Sequence, residues 1–330
     1  MNSNSTYKKT INDFKNKTVL VLGDLIMDQW VWGKVTRISP EAPVPVVDVD
    51  SYTFTPGGAA NVVNNLRALG AKVILAGMVG RDYMGQKLKR DLKHKGVDVK
   101  GVLVDHARPT TIKTRIVAHS QQVVRADYEK KGRIPETINK DLIKYLKSEN
   151  IKPDCLLISD YNKGVVNQTI LSEVIPNYKK RNIRIIAGPK PANINLFKDV
   201  NIIALNQGEA SQSSGVDIHD EKSLKNAGEK LLKMLDADAV LITRGEKGMC
   251  MFDKKGKINN IDAIASQVYD VSGAGYTVIS VFSLAVSSGA KLLEATILSN
   301  IAAAIVVKKI GTATVNTQEL ISHLSQKNEL

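Results

Sequence analysis

Between residues 134 and 243 the chain alternates short apolar runs with stretches of helical periodicity, and no other feature limits the fold as much. Runs at 155–159, 183–187, 201–205 and 239–243 are mostly Leu, Ile, Val and Ala. Strands this continuously apolar are buried on both faces, and helices expected at 137–148, 167–181 and 221–235 supply the cover. The fold class that follows is α/β, a doubly wound and mainly parallel sheet with helices on both faces. Ligands of open parallel sheets sit beyond the carboxyl ends of the strands. The residues delivered there are Asp160-Tyr161-Asn162-Lys163, Lys190, Asn206 with Glu209, and Thr243-Arg244-Gly245. All fall along one rim.

The N-terminal part reads differently. Residues 1–17 form a polar extension, and 18–22 is a β-rich run ending in Gly23-Asp24, with Asp28 four residues further on. Segments at about 30–55 and 97–127 carry scattered valines and isoleucines without helical spacing, and the first holds Pro40, Pro43 and Pro45. Proline confines a strand to a sheet edge, so these segments are expected to build a small separate β-layer, a lid on the main domain of 18–330. The second carries Lys113, Arg115 and Arg125, which face either a phosphorylated ligand or solvent. Gly57-Gly58-Ala59-Ala60-Asn61 opens a helix that Gly70 stops; two glycines and an amide at a helix start can hold hydroxyls or an anion, or serve only as a tight cap.

Composition excludes several classes. The 46 Lys and Arg outnumber the 33 Asp and Glu, giving a formal charge of +13. They lie singly or in pairs without aromatic interleaving, so small anions are favoured over nucleic acid. Cys155 and Cys250 are far apart, and the five histidines at 94, 106, 119, 219 and 323 have no metal-ligand spacing. No apolar run reaches the length of a membrane span and the first 17 residues lack a signal-peptide core, so a cytoplasmic location is expected.

A second glycine turn lies near the C-terminus. In Val268-Tyr269-Asp270-Val271-Ser272-Gly273-Ala274-Gly275-Tyr276-Thr277 a strand-like segment enters a turn that opens an apolar helix over 273–288, followed by another over 292–309. Free N–H groups at such a helix start favour an anion, although the same turn serves packing alone in other chains.

Asp-Val-Ser-Gly-Ala-Gly-Tyr-Thr resembles the C-terminal signature of the ribokinase-like (PfkB) carbohydrate kinases, Asp-Thr-x-Gly-Ala-Gly-Asp. Thr36-Arg37-Ile38-Ser39-Pro40-Glu41-Ala42-Pro43-Val44-Pro45-Val46, Gly57-Gly58-Ala59-Ala60-Asn61 and Ser159-Asp160-Tyr161-Asn162-Lys163-Gly164 extend the resemblance over about residues 18–320. They look like the branch of D-glycero-β-D-manno-heptose 7-phosphate kinases of lipopolysaccharide precursor synthesis, some of which are fused to a nucleotidyltransferase domain; this chain resembles the kinase half alone. The resemblance implies a sugar site from Asp28, Gly57, Gly58 and Asn61, with Lys163 and Arg115 beside it, closed by the β-layer, which also serves as a homodimer interface. It implies a site for ATP with Mg²⁺ from Lys190, Asn206, Glu209, Thr243, Gly245 and Asn300, with Asn206 and Glu209 acting on the metal indirectly and a monovalent cation as a further ligand. Gly273, Ala274 and Gly275 would form the anion hole, and the residue after them would be the catalytic base.

Here that residue is Tyr276. Gly188 also stands in place of an acidic residue in the usual Asp-Pro-Lys, and Ala204-Leu205-Asn206-Gln207-Gly208-Glu209 alters the usual Thr-Pro-Asn-x-x-Glu. The departures cluster on the catalytic side. A phenol of ordinary pKa near 10 is ionised in only about one molecule in a thousand at neutral pH, and a general base is worth roughly 10²- to 10⁴-fold in rate. Two readings stay open: a sugar-phosphate kinase weakened by loss of its base, and a catalytically inactive relative that binds nucleotide or sugar phosphate as a regulatory or interaction protein.

Overall fold

A computed structural model describes residues 3–119, 121–264 and 268–326. The strands are β1 (Thr18–Gly23), β2 (Leu25–Ile38), β3 (Pro45–Gly58), β4 (Lys72–Gly80), β5 (Asp98–Asp105), β6 (Thr111–Ala118), β7 (Gln121–Tyr128), β8 (Cys155–Ser159), β9 (Arg184–Gly188), β10 (Ile202–Asn206), β11 (Ala239–Thr243), β12 (Met249–Asp253) and β13 (Ile258–Ile261). The helices are α1 (Ser3–Asp13), α2 (Ala59–Ala68), α3 (Tyr83–His94), α4 (Glu136–Leu146), α5 (Gln168–Lys180), α6 (Gln207–Ser214), α7 (Glu221–Leu235), α8 (Ala274–Ser287), α9 (Leu292–Val306) and α10 (Thr317–Gln326).

Nine strands form the main sheet in the order β13-β12-β11-β10-β9-β8-β1-β4-β5, parallel except for the antiparallel β12 and β13 at one edge. Alternate residues of β1 feed opposite cores. Val19 and Val21 pack toward α2, α8 and α9, whereas Leu20 and Leu22 pack toward α4 and α5. From β1 the chain builds outward through β4 to β5, then returns to β8 and builds the other way. The order therefore reverses between β1 and β8, where a ligand crevice is expected. Asp24 and Asp160 follow these two strands directly and are both 1% exposed.

The second sheet is mixed, in the order β3-β2-β6-β7, with β2 and β6 parallel and the outer pairs antiparallel. Pro45 begins the edge strand β3, as its missing N–H requires. β5 corrects the sequence reading, which counted 97–105 with this layer. It pairs with β4 at the edge of the main sheet. An edge strand of either sheet shows the same scattered valines, and local pattern carries no record of its partner.

Three other expectations change. The segment 268–271 forms no strand, and the Tyr269 and Asp270 N–H groups donate instead to the Val307 carbonyl after α9. Its exposed Val268, Tyr269 and Val271 have no sheet to lie against. The polar extension at 1–17 contains α1, and Ile11 and Phe14 from this region are fully buried in the core. The β12–β13 hairpin, unread in the sequence, extends the main sheet beyond β11.

Candidate active site

The site begins at the N-terminus of α8. Asp270 Oδ1 accepts the Ser272 N–H at 2.8 Å and Oδ2 accepts the Gly311 N–H at 2.9 Å, which ties the turn to the loop after α9. Partial burial raises the Asp270 pKa, but the Ser272 and Gly311 donors outweigh it and hold the carboxyl below its usual range. Gly273 has φ 89°, a left-handed conformation that costs glycine little. Gly275 is different: a Cβ built there would meet nothing within 4 Å. Neither its backbone nor packing within the chain asks for glycine, and the space beside it opens on a cavity. Among the described residues the N–H groups of Gly273 and Gly275 have no acceptor, while those of Ala274, Tyr276 and Thr277 bond to Val271 and Gly273. Such donors at the positive end of a fourteen-residue helix form a ready anion cradle.

The cavity measures about 280 Å³ and brings together Lys190, Asn206, Glu209, Thr243, Gly273, Gly275 and Tyr276. The sequence placed these on four separate segments. Asn206 and Glu209 close a capping box on α6: Asn206 Oδ1 accepts the Glu209 N–H at 2.8 Å, and Glu209 Oε2 accepts the Asn206 N–H at 3.0 Å. The other carboxylate oxygen of Glu209 holds Lys190 Nζ at 2.5 Å. Gly188 lines the same space, where an added Cβ would meet Ile279 Cδ1 at 3.2 Å. Ala274, Gly245 and Asn300 are not on the cavity wall. Ala274 is the first residue of α8, Gly245 sits in a short 3₁₀ turn after β11 at φ 57°, and buried Asn300 donates to the Asp262 carbonyl at 2.7 Å.

The second half of the site lies where β2 and β3 meet α2. Asp28 is 4% exposed and accepts from Arg115 Nη1 at 2.7 Å. A Cβ on Gly57 would stand 2.3 Å from Asp28 Oδ2, so glycine there is what lets the carboxylate approach the start of α2. Asn61 is 1% exposed; its Oδ1 accepts from Asn65 at 2.9 Å, but among the described residues its Nδ2 is a buried donor without a partner. A buried orphan of this kind costs about 1–3 kcal/mol unless something satisfies it. Lys163 pairs with Glu129 at 2.5 Å on the loop after β8.

A buried hydrogen bond joins the halves, with the Thr277 hydroxyl on α8 donating to Asn65 Oδ1 on α2 at 2.7 Å. Tyr276 spans the same boundary. Burial pushes its phenol up, and the Asp28 charge adds to this; hydrogen bonds from Tyr161 and the Gly58 N–H, together with the Lys190 charge, offset only part. Tyr161, which the sequence places on the rim without a role, stands beside it. Its ring centroid lies 6.0 Å from that of Tyr276, Lys190 Nζ stands 5.2 Å from its ring centroid, and burial holds its own phenol well above the usual range. Both phenols therefore keep their protons at neutral pH. Below the pair, Asp160 accepts from the Lys190 and Asn162 N–H groups and from Asn193, and Asp24 accepts three N–H groups from residues 161–165.

The donor set fits a nucleotide's phosphates better than a bare cation. Among the described residues no group of three or more His, Cys, Asp or Glu side chains is arranged to hold a metal, and both carboxylate oxygens of Glu209 are engaged. A Mg²⁺ here would be held largely by phosphate oxygens and water.

A main parallel sheet of this order, a second sheet beside it and a glycine turn at the switch-point cleft define a ribokinase-like α/β protein. Solved structures agree on the fold. Arabidopsis thaliana ribokinase, complexed with ribose and ATP, superposes with a TM-score of 0.74 at 19% identity, covering 93% of this chain and 98% of its own. Escherichia coli phosphofructokinase-2, in complex with potassium, gives 0.78 at 18% identity, covering 94% and 99%. The description "pfkB family carbohydrate kinase" matches residues 16–319, and the chain belongs to that family. It is also similar to proteins named bifunctional protein HldE: 42% identical over 327 residues to that of Desulfatibacillum aliphaticivorans, and 42% over 305 residues to that of Geobacter sulfurreducens. The alignments take in 99% and 92% of this chain but only 67% and 62% of those relatives.

Proposed function

We propose that this chain binds ATP in the α8 cavity and a phosphorylated sugar of the heptose 7-phosphate class beside Asp28 and Asn61, and that phosphoryl transfer between them is slowed by Tyr276. The observation that carries the reading is that Tyr276 lines one cavity with Gly273 and Gly275 while its phenol also feels the Asp28 charge. In phosphoryl transfer an acceptor hydroxyl attacks the terminal phosphate in line while a base takes its proton. Gly273 and Gly275 would hold the charge that develops on the phosphate, Lys190 would neutralise it, and Asp28 and Asn61 would fix the acceptor. Mg²⁺ arriving with the nucleotide would supply charge neutralisation, with Asn206 and Glu209 acting on it only indirectly. Tyr276 cannot take a proton readily, since its raised pKa keeps it as the neutral phenol at neutral pH.

That direction also favours the second reading, a binding protein without turnover. Burial stabilises the neutral phenol, so the neighbouring lysine and helix dipole do not turn it into a base. In either case the site works in a cytoplasmic protein, and exposed Tyr52 and Val124, on one face of the second sheet, support a homodimer through that layer. Calorimetry with a non-hydrolysable ATP analogue and with heptose 7-phosphate tests the shared part. Micromolar to millimolar binding of both is expected, and failure to bind either would end the proposal.

A further inference from the structure

Tyr276 takes a base away from the site, but it also brings a hydroxyl into it. Helix side chains lean back toward the N-terminus, so a residue in the first turn of α8 projects toward the end that carries the Gly273 and Gly275 N–H groups, free among the described residues. The ring lines the same cavity as those donors and Lys190. Its phenol oxygen takes a hydrogen bond from the Gly58 N–H. That is the turn where Asp28 comes closest to the backbone, since a Cβ on the adjoining Gly57 would stand 2.3 Å from Asp28 Oδ2. Arg115 holds the other carboxylate oxygen, Oδ1, at 2.7 Å, which leaves Oδ2 at the turn. On the nucleotide side the Tyr161 ring, 6.0 Å away, stands beside the phenol ring. Phosphoryl transfer to an alcohol needs a hydroxyl, a carboxylate near it and a cradle for the phosphate. All three are gathered here, and the hydroxyl belongs to the chain.

We propose that Tyr276 is itself a phosphoryl acceptor: the chain transfers the terminal phosphate of ATP to its own phenol and stops after one turnover. The inference rests on the preceding reading that ATP occupies the α8 cavity, and it gives that ATP an acceptor when no sugar is present. The phenol oxygen attacks the γ-phosphorus, and the bond from that phosphorus to the β–γ bridging oxygen breaks. ADP leaves with the electron pair, and the phenolic proton passes to Asp28 Oδ2. The products are phosphotyrosine at position 276, ADP and one proton, so ATP with Mg²⁺ is the only reactant required. Burial raises the phenol's pKa, which excludes it as a base but does not bar this step. A kinase acceptor is ordinarily a neutral sugar alcohol, less acidic than any tyrosine, and a loose transition state asks little of its nucleophile. The phosphate on the product remains against the Gly273 and Gly275 N–H groups and Lys190, where its charge is satisfied. It then occupies the place of the next terminal phosphate, which makes the reaction self-limiting.

The test incubates the purified chain with ATP and Mg²⁺, without sugar, and follows its intact mass and its peptides by mass spectrometry. Tyr276→Phe, Tyr161→Phe and Asp28→Asn are treated alongside, with thermal melting and calorimetry against a non-hydrolysable ATP analogue confirming fold and nucleotide binding in each. The expected result is one phosphoryl group per chain, on Tyr276, at a rate per chain that does not change when the protein is diluted. Tyr276→Phe should gain none, Tyr161→Phe should still be labelled, and Asp28→Asn should be labelled more slowly by about 10²- to 10⁴-fold. A chain that binds the analogue yet gains no phosphoryl group, or gains it on Tyr161 or elsewhere, overturns the inference and leaves the nucleotide site standing. A rate that rises with protein concentration shows transfer between molecules and overturns it too, and labelling that Asp28→Asn leaves unchanged removes Asp28 as the proton acceptor. If the analogue does not bind the parent chain, the proposed function falls and this inference falls with it.

Discussion

Gly275→Ala separates what the fold needs from what a ligand needs. The second residue of α8 has an ordinary helical backbone, and the added methyl meets nothing within 4 Å. Replacing glycine by alanine in such a place removes unfolded-state freedom and is worth about 0.5–1 kcal/mol of added stability. In a domain of this size that raises the melting temperature by roughly 1–3 °C. The same methyl stands in the space that a terminal phosphate must enter to reach the Gly273 and Gly275 N–H groups. Losing one charge-assisted hydrogen bond costs about 1.5–3 kcal/mol, so affinity for ATP or its analogue should fall by roughly 10- to 100-fold. Calorimetry and thermal melting on the same preparation give both numbers. A variant that melts higher and binds nucleotide as tightly as the parent would show that no phosphate approaches this turn.

Three further outcomes follow from the geometry. Burial raises the Asp24 carboxyl to about 6 against its three N–H donors, so the folded state holds a proton that the unfolded state releases near 4. Stability from this group is therefore present below about pH 4 and lost as pH rises through 6, and unfolding free energy of the parent should drop by roughly 2–3 kcal/mol relative to Asp24→Asn across that window in urea titrations. Arg108, 8% exposed, donates to the carbonyls of Lys130, Lys163, Gly132 and Arg133 where the second sheet rejoins the main domain; Arg108→Met should cost about 3–5 kcal/mol in the same assay. Tyr52→Lys places a charge among the exposed apolar residues of the second sheet and should shift sedimentation from dimer to monomer without lowering the melting temperature by more than about 2 °C.

The central sheet was legible because strands buried on both faces must be continuously apolar: β8 and β11 fall where their runs of Leu, Ile and Val lie, and β9 and β10 are shifted by one residue. The helices between them followed from their spacing. Edges were harder. β5 was assigned to the wrong sheet because partnership is a long-range property, and β12 and β13 are only five and four residues long. Ile11 marks α1, and Phe14 the turn after it, only once α10 lies against the helix. Seven of the residues expected at the site share one cavity, because the carboxyl ends of β9, β10 and β11 and the start of α8 face the same space. The pairing of Tyr161 with Tyr276 was not legible for the opposite reason. A tyrosine on a rim loop carries no signal until another phenol, 115 positions away in the chain, comes within 6.0 Å.

Turnover by Tyr276→Asp is the most direct test of the claim that a phenol now stands at the base position of an otherwise assembled kinase site. ADP release is measured for the parent and the variant with saturating ATP, Mg²⁺ and heptose 7-phosphate, and again without the sugar. The expected result is sugar-dependent ADP formation that rises by roughly 10²- to 10⁴-fold in the variant, the contribution of a general base. A parent that already turns over at tens per second, or a correctly folded variant that binds both ligands and gains nothing, would contradict it.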